Sequence, residues 1–401
     1  MKRVLIVDQA PNLGGTLFGM YELVRMLDRS RYEPVVAFCE PHPMESRFRD
    51  LGAEVVHLIE GTPPSRRTVK PRNDRALAIF GSLGTLSRYE IAAARGVARI
   101  IRTHGIDLVH HNNHLPRDRS AVIATALRRV PQICHIHNLR SLASEVRFAG
   151  RFVDRFVYMS RAIERVYLDC GVAPERGTVI YDGIDAPPPV DGRDAEALRA
   201  ELGIDARDFV VANVGRIDTW KGHDVFVRAV AALVPRIPNI KAVIVGEVSD
   251  GARTSGFDVN LHKLVDELGV SSRIVFTGFR SDPHRIVAAS DIVVHSATEP
   301  EPFGRVIAEG MMAGRPVIAT NAGGVPEIID DRVSGLLVPC RDDAALAAAM
   351  AYLHDHLEEA RAMAEEGRAR ATERFAPARF AAEMMAVYDA VLRRSSQPRA
   401  T

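Results

Sequence analysis

At 401 residues and 44.0 kDa the chain is long enough for two domains, each able to bury its own core. A hydrophobic share of 47% against 26% charged residues excludes a disordered chain. With 52 Lys+Arg against 51 Asp+Glu, the net charge of +1 excludes the broad basic field of a dedicated nucleic-acid binder, so no nucleic-acid partner is expected.

The N-terminus runs from Met1-Lys2-Arg3 into an apolar run ending at Asp8, too short for the core of a signal peptide. No later stretch approaches the ~20 apolar residues of a spanning helix, so a cytoplasmic chain is expected. Short β-branched runs follow one another: Val4 to Val7, Val35 to Phe38, Val55 to Ile59, Leu108 to His110, Ile133 to Ile136, Phe156 to Tyr158 and Val179 to Tyr181. Between them lie helical patterns such as Met20, Leu23, Val24 and Leu27. Strands alternating with helices predict a doubly wound α/β domain with a parallel sheet. The rhythm stops at Ala186-Pro187-Pro188-Pro189-Val190-Asp191-Gly192, because three prolines fit neither a helix nor a central strand. It restarts with Phe209 to Val214, Ala242 to Val245, Ile274 to Thr277, Ile292 to His295 and Val317 to Thr320. A second Rossmann-like α/β domain is therefore expected, with a cleft between the two and ligand groups at the carboxyl ends of the strands. From about Ala344 the chain reads as helical.

Cys39, Cys134, Cys170 and Cys340 lie far apart with no Cys-x-x-Cys pair, which predicts reduced thiols and no structural metal. The first strand leads to Gly14-Gly15 just before a helix, where backbone N–H groups can meet a phosphate; a plain turn would look the same. The second domain opens with Gly215-Arg216-Ile217-Asp218-Thr219-Trp220-Lys221-Gly222. Arg216 and Lys221 can converge there on one anion, and a guanidinium beside an ammonium suits a diphosphate leaving group. The competing reading is a solvated loop with two surface cations.

In Glu299-Pro300-Glu301-Pro302-Phe303-Gly304-Arg305-Val306-Ile307-Ala308-Glu309, two carboxylates stand eight positions apart. If Pro302 lies in the first turn of a helix, Glu301 flanks its start and Glu309 shares its face two turns on. One could then hold a sugar and the other a ribose, with the N–H groups near Phe303 and Gly304 on phosphate. An exposed acidic helix face is the alternative. A strand and another Gly-Gly turn, Gly323-Gly324, follow.

Taken in order, the Gly14-Gly15 turn, the Gly-Arg-(four residues)-Lys-Gly run at 215 to 222, Gly246-Glu247, Gly278-Phe279 and the Glu301 to Glu309 element resemble glycosyltransferase family 4. The resemblance spans nearly the whole chain and implies the two-domain GT-B fold. It divides the chain into an acceptor-side domain over 1–185 and a nucleotide-sugar-binding domain over 193–375, with a C-terminal helix at about 377–395 packing back on the first. It implies retaining transfer from a nucleoside-diphosphate sugar to an acceptor glycan or glycolipid, as in bacterial surface polysaccharide assembly. No cofactor or metal is required, since Arg216 and Lys221 neutralise the diphosphate. Arg216, Lys221, Glu301 and His137 take the catalytic places, with Glu301 on donor sugar hydroxyls and His137 at the transferred sugar. Gly14, Gly15, Gly246, Glu247, Phe279, Phe303, Gly304, Arg305 and Glu309 take the donor-binding places, with Glu309 on the ribose. The family usually continues Glu-Ala-Met-Ala where this chain has Glu309-Gly310-Met311-Met312, and a helical glycine costs about 1 kcal/mol relative to alanine.

Histidines cluster at His110, His111 and His114, and again at His135 and His137. Alternation puts His135 and His137 on one face of a strand; a zinc site would need further ligands at matched spacing, and His135 reads as structural. Arg66, Arg67, Lys70, Arg72 and Arg75 precede an uncharged stretch from Ala76 to Leu86. That run reads as a loop, or else as a peripheral contact with an anionic membrane. Arg140, Arg147, Arg151 and Arg155 could line an acceptor site. Two further functions stay open: a catalytically silent nucleotide-sugar-binding partner protein, and a nucleotide-sugar epimerase of similar architecture.

Overall fold

The computed structural model of the chain describes residues 1–9, 14–61, 87–113, 115–140 and 143–396. The basic run from Arg66 to Leu86 and His114 lie outside them. Two compact units result, Met1–Gly183 with Pro377–Thr401, and Ile184–Ala376.

The first unit holds β1 (Lys2–Asp8), β2 (Tyr32–Phe38), β3 (Glu54–His57), β4 (Leu108–Asn113), β5 (Gln132–Ile136), β6 (Arg155–Tyr158) and β7 (Gly177–Val179), in the order β3-β2-β1-β4-β5-β6-β7. The second holds β8 (Phe209–Val214), β9 (Ile240–Val245), β10 (Ile274–Gly278), β11 (Ile292–His295), β12 (Val317–Thr320) and β13 (Leu336–Val338), in the order β10-β9-β8-β11-β12-β13. Every pairing within these two sheets is parallel. The expected pair of doubly wound α/β domains is what the chain forms.

Alternation along each strand feeds two cores. Val4 and Ile6 of β1 join one cluster while Leu5 and Val7 join another on the opposite face, under the helix Arg88–His104. In the second unit Val211 packs on one side and Val210 and Ala212 on the other. Each such side chain, taken out of water, contributes ~1.5–3 kcal/mol, which is why near-continuous apolar runs form these strands. The helix Arg88–His104 starts in a capping box of Ser87 and Glu90 and stops at Gly105 in the left-handed conformation.

The helix Pro377–Ser396 belongs to the first unit: Phe380, Met384, Tyr388 and Val391, at helical spacing, enter the cluster of Val4 and Ile6. Its Tyr388 hydroxyl lies 2.7 Å from His110 Nδ1. Three details differ from the sequence reading. β7 is Gly177–Val179, and the chain leaves the sheet after Ile180 donates its N–H to the Tyr158 carbonyl at 2.9 Å. β13 carries only Leu336, Leu337 and Val338, too short a run for alternation to reveal. A helix, Gly192–Glu201, with Asp191 as its cap, directly follows the proline run.

Candidate active site

In the second sheet the strand order reverses between β8 and β11, the place where neighbouring crossovers leave a crevice at the carboxyl ends. Two of the sequence-expected residues meet there. Lys221 follows β8 and Glu301 follows β11, and Lys221 Nζ lies 2.7 Å from Glu301 Oε2. Glu301 also reaches His295 Nε2 at 3.2 Å, and Thr320 Oγ1 lies 3.4 Å from the other ring nitrogen. The Lys221 ammonium sits 4.1 Å from the Trp220 ring centroid, a cation–π contact. Burial alone would raise the Glu301 pKa, but the Lys221 charge and then the His295 hydrogen bond bring it down to about 2. The crevice therefore carries a fixed, charged carboxylate beside an ammonium with hydrogen-bond donors to spare.

The backbone builds this pair from glycines. A Cβ at Gly323, at φ +67°, would lie 2.1 Å from the Glu301 carbonyl oxygen, and the Gly324 N–H donates to that same oxygen at 2.8 Å. Gly222, at φ +69°, lets the Lys221 turn close against Ser296, whose carbonyl oxygen a Cβ would meet at 1.9 Å.

The two glutamates do not share a helix face. The helix is Arg305–Met312, and Gly304, at φ 108°, precedes it, so Pro302 lies outside the first turn. Glu301 instead forms a bridge with Gly323. The left-handed Gly304 and this pairing together end any helical continuity between Glu301 and Glu309. Glu309 lies on the helix, 3.7 Å from Arg305 Nε, and is partly exposed. Gly310 lies against the strands: a Cβ there would meet Val293 and Val317 side chains at 3.2 Å, so close helix–sheet packing takes up the glycine.

Arg216 is exposed and its side chain pairs with no described residue. Its loop is held to the loop after β9, with Ile217 N–H donating to the Glu247 carbonyl at 2.9 Å and Gly246 packed on the Gly215 carbonyl. The Glu247 side chain is exposed. Phe303 is buried edge-on against Phe375, so its ring is core and only its backbone faces the helix start. Phe279 is 66% exposed after β10, the edge strand two places from β8, and is not brought to the Lys221–Glu301 pair.

In the first unit the order reverses between β1 and β4. Asn112 at the end of β4 donates to Asp8 at the end of β1, 2.8 Å, and its Oδ1 lies 3.1 Å from His137 Nε2. The amide, tied at both ends, makes that imidazole nitrogen the donor. Asn113 is held at φ 153° while its carbonyl accepts the His137 N–H at 2.7 Å. His135 and His137 do share a face, with ring centroids 4.0 Å apart. Sequence reasoning missed their neighbour: Asp182, fully buried, lies 3.7 Å from a nitrogen of each. These three could offer donors to a metal within 4.8 Å of one another, and among the described residues no fourth joins them. Distant in sequence, Asp182 carries no spacing signal; only the sheet brings it in. Burial first, then the charges of His135 and His111, push the His110 pKa well down, and burial holds His135 at about 3.

Gly14 caps the helix Gly15–Met26 in ordinary extended backbone, and a Cβ there would meet no described atom within 4 Å. Its own fold does not demand glycine. Arg151 and Arg155 do not reach the carboxyl edge, since both precede or begin β6; Arg151 stacks on Phe148 and Phe152. Arg147 is engaged with the Cys170 carbonyl. The four cysteines are free thiols, three of them buried. No described helix is long and apolar enough to cross a membrane.

Two family models match: Glycosyltransferase Family 4 over residues 13–186 and Glycosyl transferases group 1 over 194–370. A D-inositol 3-phosphate glycosyltransferase of Saccharomonospora viridis is 32% identical over 288 residues, 71% of this chain and 64% of the relative. One from Corynebacterium glutamicum is 37% identical over 223 residues, 54% of this chain and 52% of the relative. The chain thus spans between about half and two thirds of the length of these relatives. Among solved structures, Anabaena Alr3699/HepE in complex with UDP superimposes with a TM-score of 0.81 at 26% identity, covering 97% of this chain and 100% of that one. Sucrose-phosphate synthase from Thermosynechococcus elongatus shares the fold, with a TM-score of 0.77 at 21% identity over 98% of this chain and 100% of its own. Two adjoining family models and the two parallel sheets place this chain in the group 1/family 4 glycosyltransferases of GT-B fold.

Proposed function

We propose that the protein is a retaining, metal-independent glycosyltransferase that moves a sugar from a nucleoside-diphosphate sugar to an acceptor hydroxyl. The observation that carries this reading is the Lys221–Glu301 pair at the switch point of the second sheet. A buried carboxylate kept ionised can only accept hydrogen bonds, which suits sugar hydroxyls. The ammonium beside it keeps donors for a diphosphate, and Arg216 supplies a second cation after the same strand. The helix starting at Arg305 points its first N–H groups toward the same carboxyl edge, where an anion is favoured.

The donor nucleotide we favour is UDP, on the strength of the Anabaena neighbour's complex with UDP. For the acceptor we propose a hydroxyl of a bacterial surface polysaccharide or glycolipid; the relatives' name makes inositol phosphate the rival. His137, at the end of β5, is assigned to the transferred sugar. The diphosphate itself takes the acceptor's proton as it leaves: the C1–O bond to phosphate breaks, the acceptor oxygen bonds C1 on the same face, and the proton ends on the phosphate. Arg216 and Lys221 hold the growing charge.

The test is release of nucleoside diphosphate from UDP-, GDP- and ADP-sugars with and without acceptor. Acceptor-dependent release, a product keeping the donor's anomeric configuration by NMR, and full activity in EDTA are expected. Acceptor-independent binding alone would support the silent partner protein, and sugar isomerisation the epimerase. An inverted product, or activity lost in EDTA and restored by magnesium or manganese, would overturn the mechanism.

A further inference from the structure

A cavity of about 520 Å³ opens at the opposite edge of the second sheet, where β8 and β11 begin. Phe209, Pro316 and Leu357 form an apolar wall, and Arg315, Arg361 and Arg368 line it with guanidinium groups. Six residues of β8 separate this end from the Gly215-Arg216 end, roughly 20 Å at the rise of a strand.

Two of the three guanidinium groups are uncommitted. Arg315 is partly buried, its Nε has no hydrogen-bond partner, and its side chain forms no ion pair with the described residues. Of the two carboxylates lining the cavity, Asp291 accepts from Arg199 at 3.1 Å and from the Val210 N–H at 2.7 Å, while Glu365 is exposed to solvent. Arg199 in turn is spent on that carboxylate and on the carbonyls of Ala289 and Asp208. Arg368 also pairs with no described residue, and its stem passes Gly314, where a Cβ would sit 3.6 Å from the Arg368 Cδ. Only Arg361 is paired, with Glu358 at 2.5 Å. Burial lowers the Arg315 pKa from its ordinary value; the Asp291 charge opposes that and Arg199 adds to the lowering. A half-buried cation whose nearby carboxylate, Asp291, is shared with Arg199 is undercompensated, and an anion entering the cavity would relieve it.

We propose that this cavity is a second binding site, for a small phosphate monoester, in which Arg315 and Arg368 grip the phosphate and the Phe209, Pro316 and Leu357 wall covers its carbon body. Guanidinium forks match phosphate oxygens in pairs, and the volume lies in the range of small-molecule pockets. The site stands independently of the proposed transferase chemistry.

Calorimetric titration with inorganic phosphate and with glucose 6-phosphate, in an Arg216→Ala background that removes the exposed cation of the other site without unpairing a buried charge, tests this. Saturable binding of both is expected, tighter for the ester, with none for glucose. Arg368→Gln, at an exposed helix position, should keep the wild-type melting temperature and weaken both isotherms at least fivefold, and Arg315→Gln or Arg315→Lys should weaken them more. Absence of saturable binding in that background, or isotherms unmoved by Arg368→Gln, would overturn the proposal.

Discussion

Lys221 Nζ and Glu301 Oε2 lie 2.7 Å apart across 80 positions of sequence, one after β8 and the other after β11. The pair couples the fold to the proposed chemistry: each partner's charge makes the other's burial tolerable. Lys221→Ala should therefore lower stability as well as cut turnover 100- to 1,000-fold, ~3–4 kcal/mol of transition-state stabilisation. Because the folded Glu301 pKa is depressed to about 2 from 4.5, its contribution is fully present above pH 4.5 and lost as pH falls through about 2. Urea unfolding should show the gap between wild type and Lys221→Ala narrowing once pH drops below about 4.5. A gap that widens there would contradict the pairing.

Arg216 gives the contrast. Exposed and unpaired among the described residues, it can be removed without leaving a buried charge behind. Arg216→Ala should keep the wild-type melting temperature while turnover falls 100- to 1,000-fold. Wild-type turnover in the purified variant would remove Arg216 from the proposed diphosphate site.

Gly323→Ala should be among the most damaging small substitutions in the second unit. Its Cβ would overlap the Glu301 carbonyl at 2.1 Å, and the left-handed backbone adds ~1–2 kcal/mol of its own. Gly269, at φ +68° with open space around it, is the control that carries the backbone penalty alone. Thermal unfolding should show Gly323→Ala losing at least twice what Gly269→Ala loses, with transferase activity lost only in the former. Equal losses would mean the contact at Glu301 relaxes freely.

Buried histidines set the acid limit of the first unit. His111 is held at about 4 by burial and His135 at about 3, while unfolded histidine titrates near 6.5. The unfolded chain takes up protons that the folded one refuses, so this stability is present above pH 6.5 and declines below it. By pH 5 the loss is about 2 kcal/mol for each of the two. Chemical unfolding monitored from pH 7.5 to 5 should show that decline, and a flat profile would show these histidines protonate in place.

The sequence by itself determined the two α/β domains, because apolar runs interrupted at Ala186 to Gly192 leave few other ways to bury those side chains; the unit boundary falls between Gly183 and Ile184, ahead of that proline run. It also determined which residues stand after which strand, and so Arg216, Lys221 and Glu301 could be named as candidates. It could not place Glu301 relative to Glu309, since helical spacing holds only inside a helix and Gly304 at φ 108° breaks it. Only the tertiary structure joined Glu301 to Lys221, His295 and Gly323, and Asp182 to His135 and His137. Those partners come from separate strands, and parallel pairing brings the strand ends together regardless of their distance along the chain.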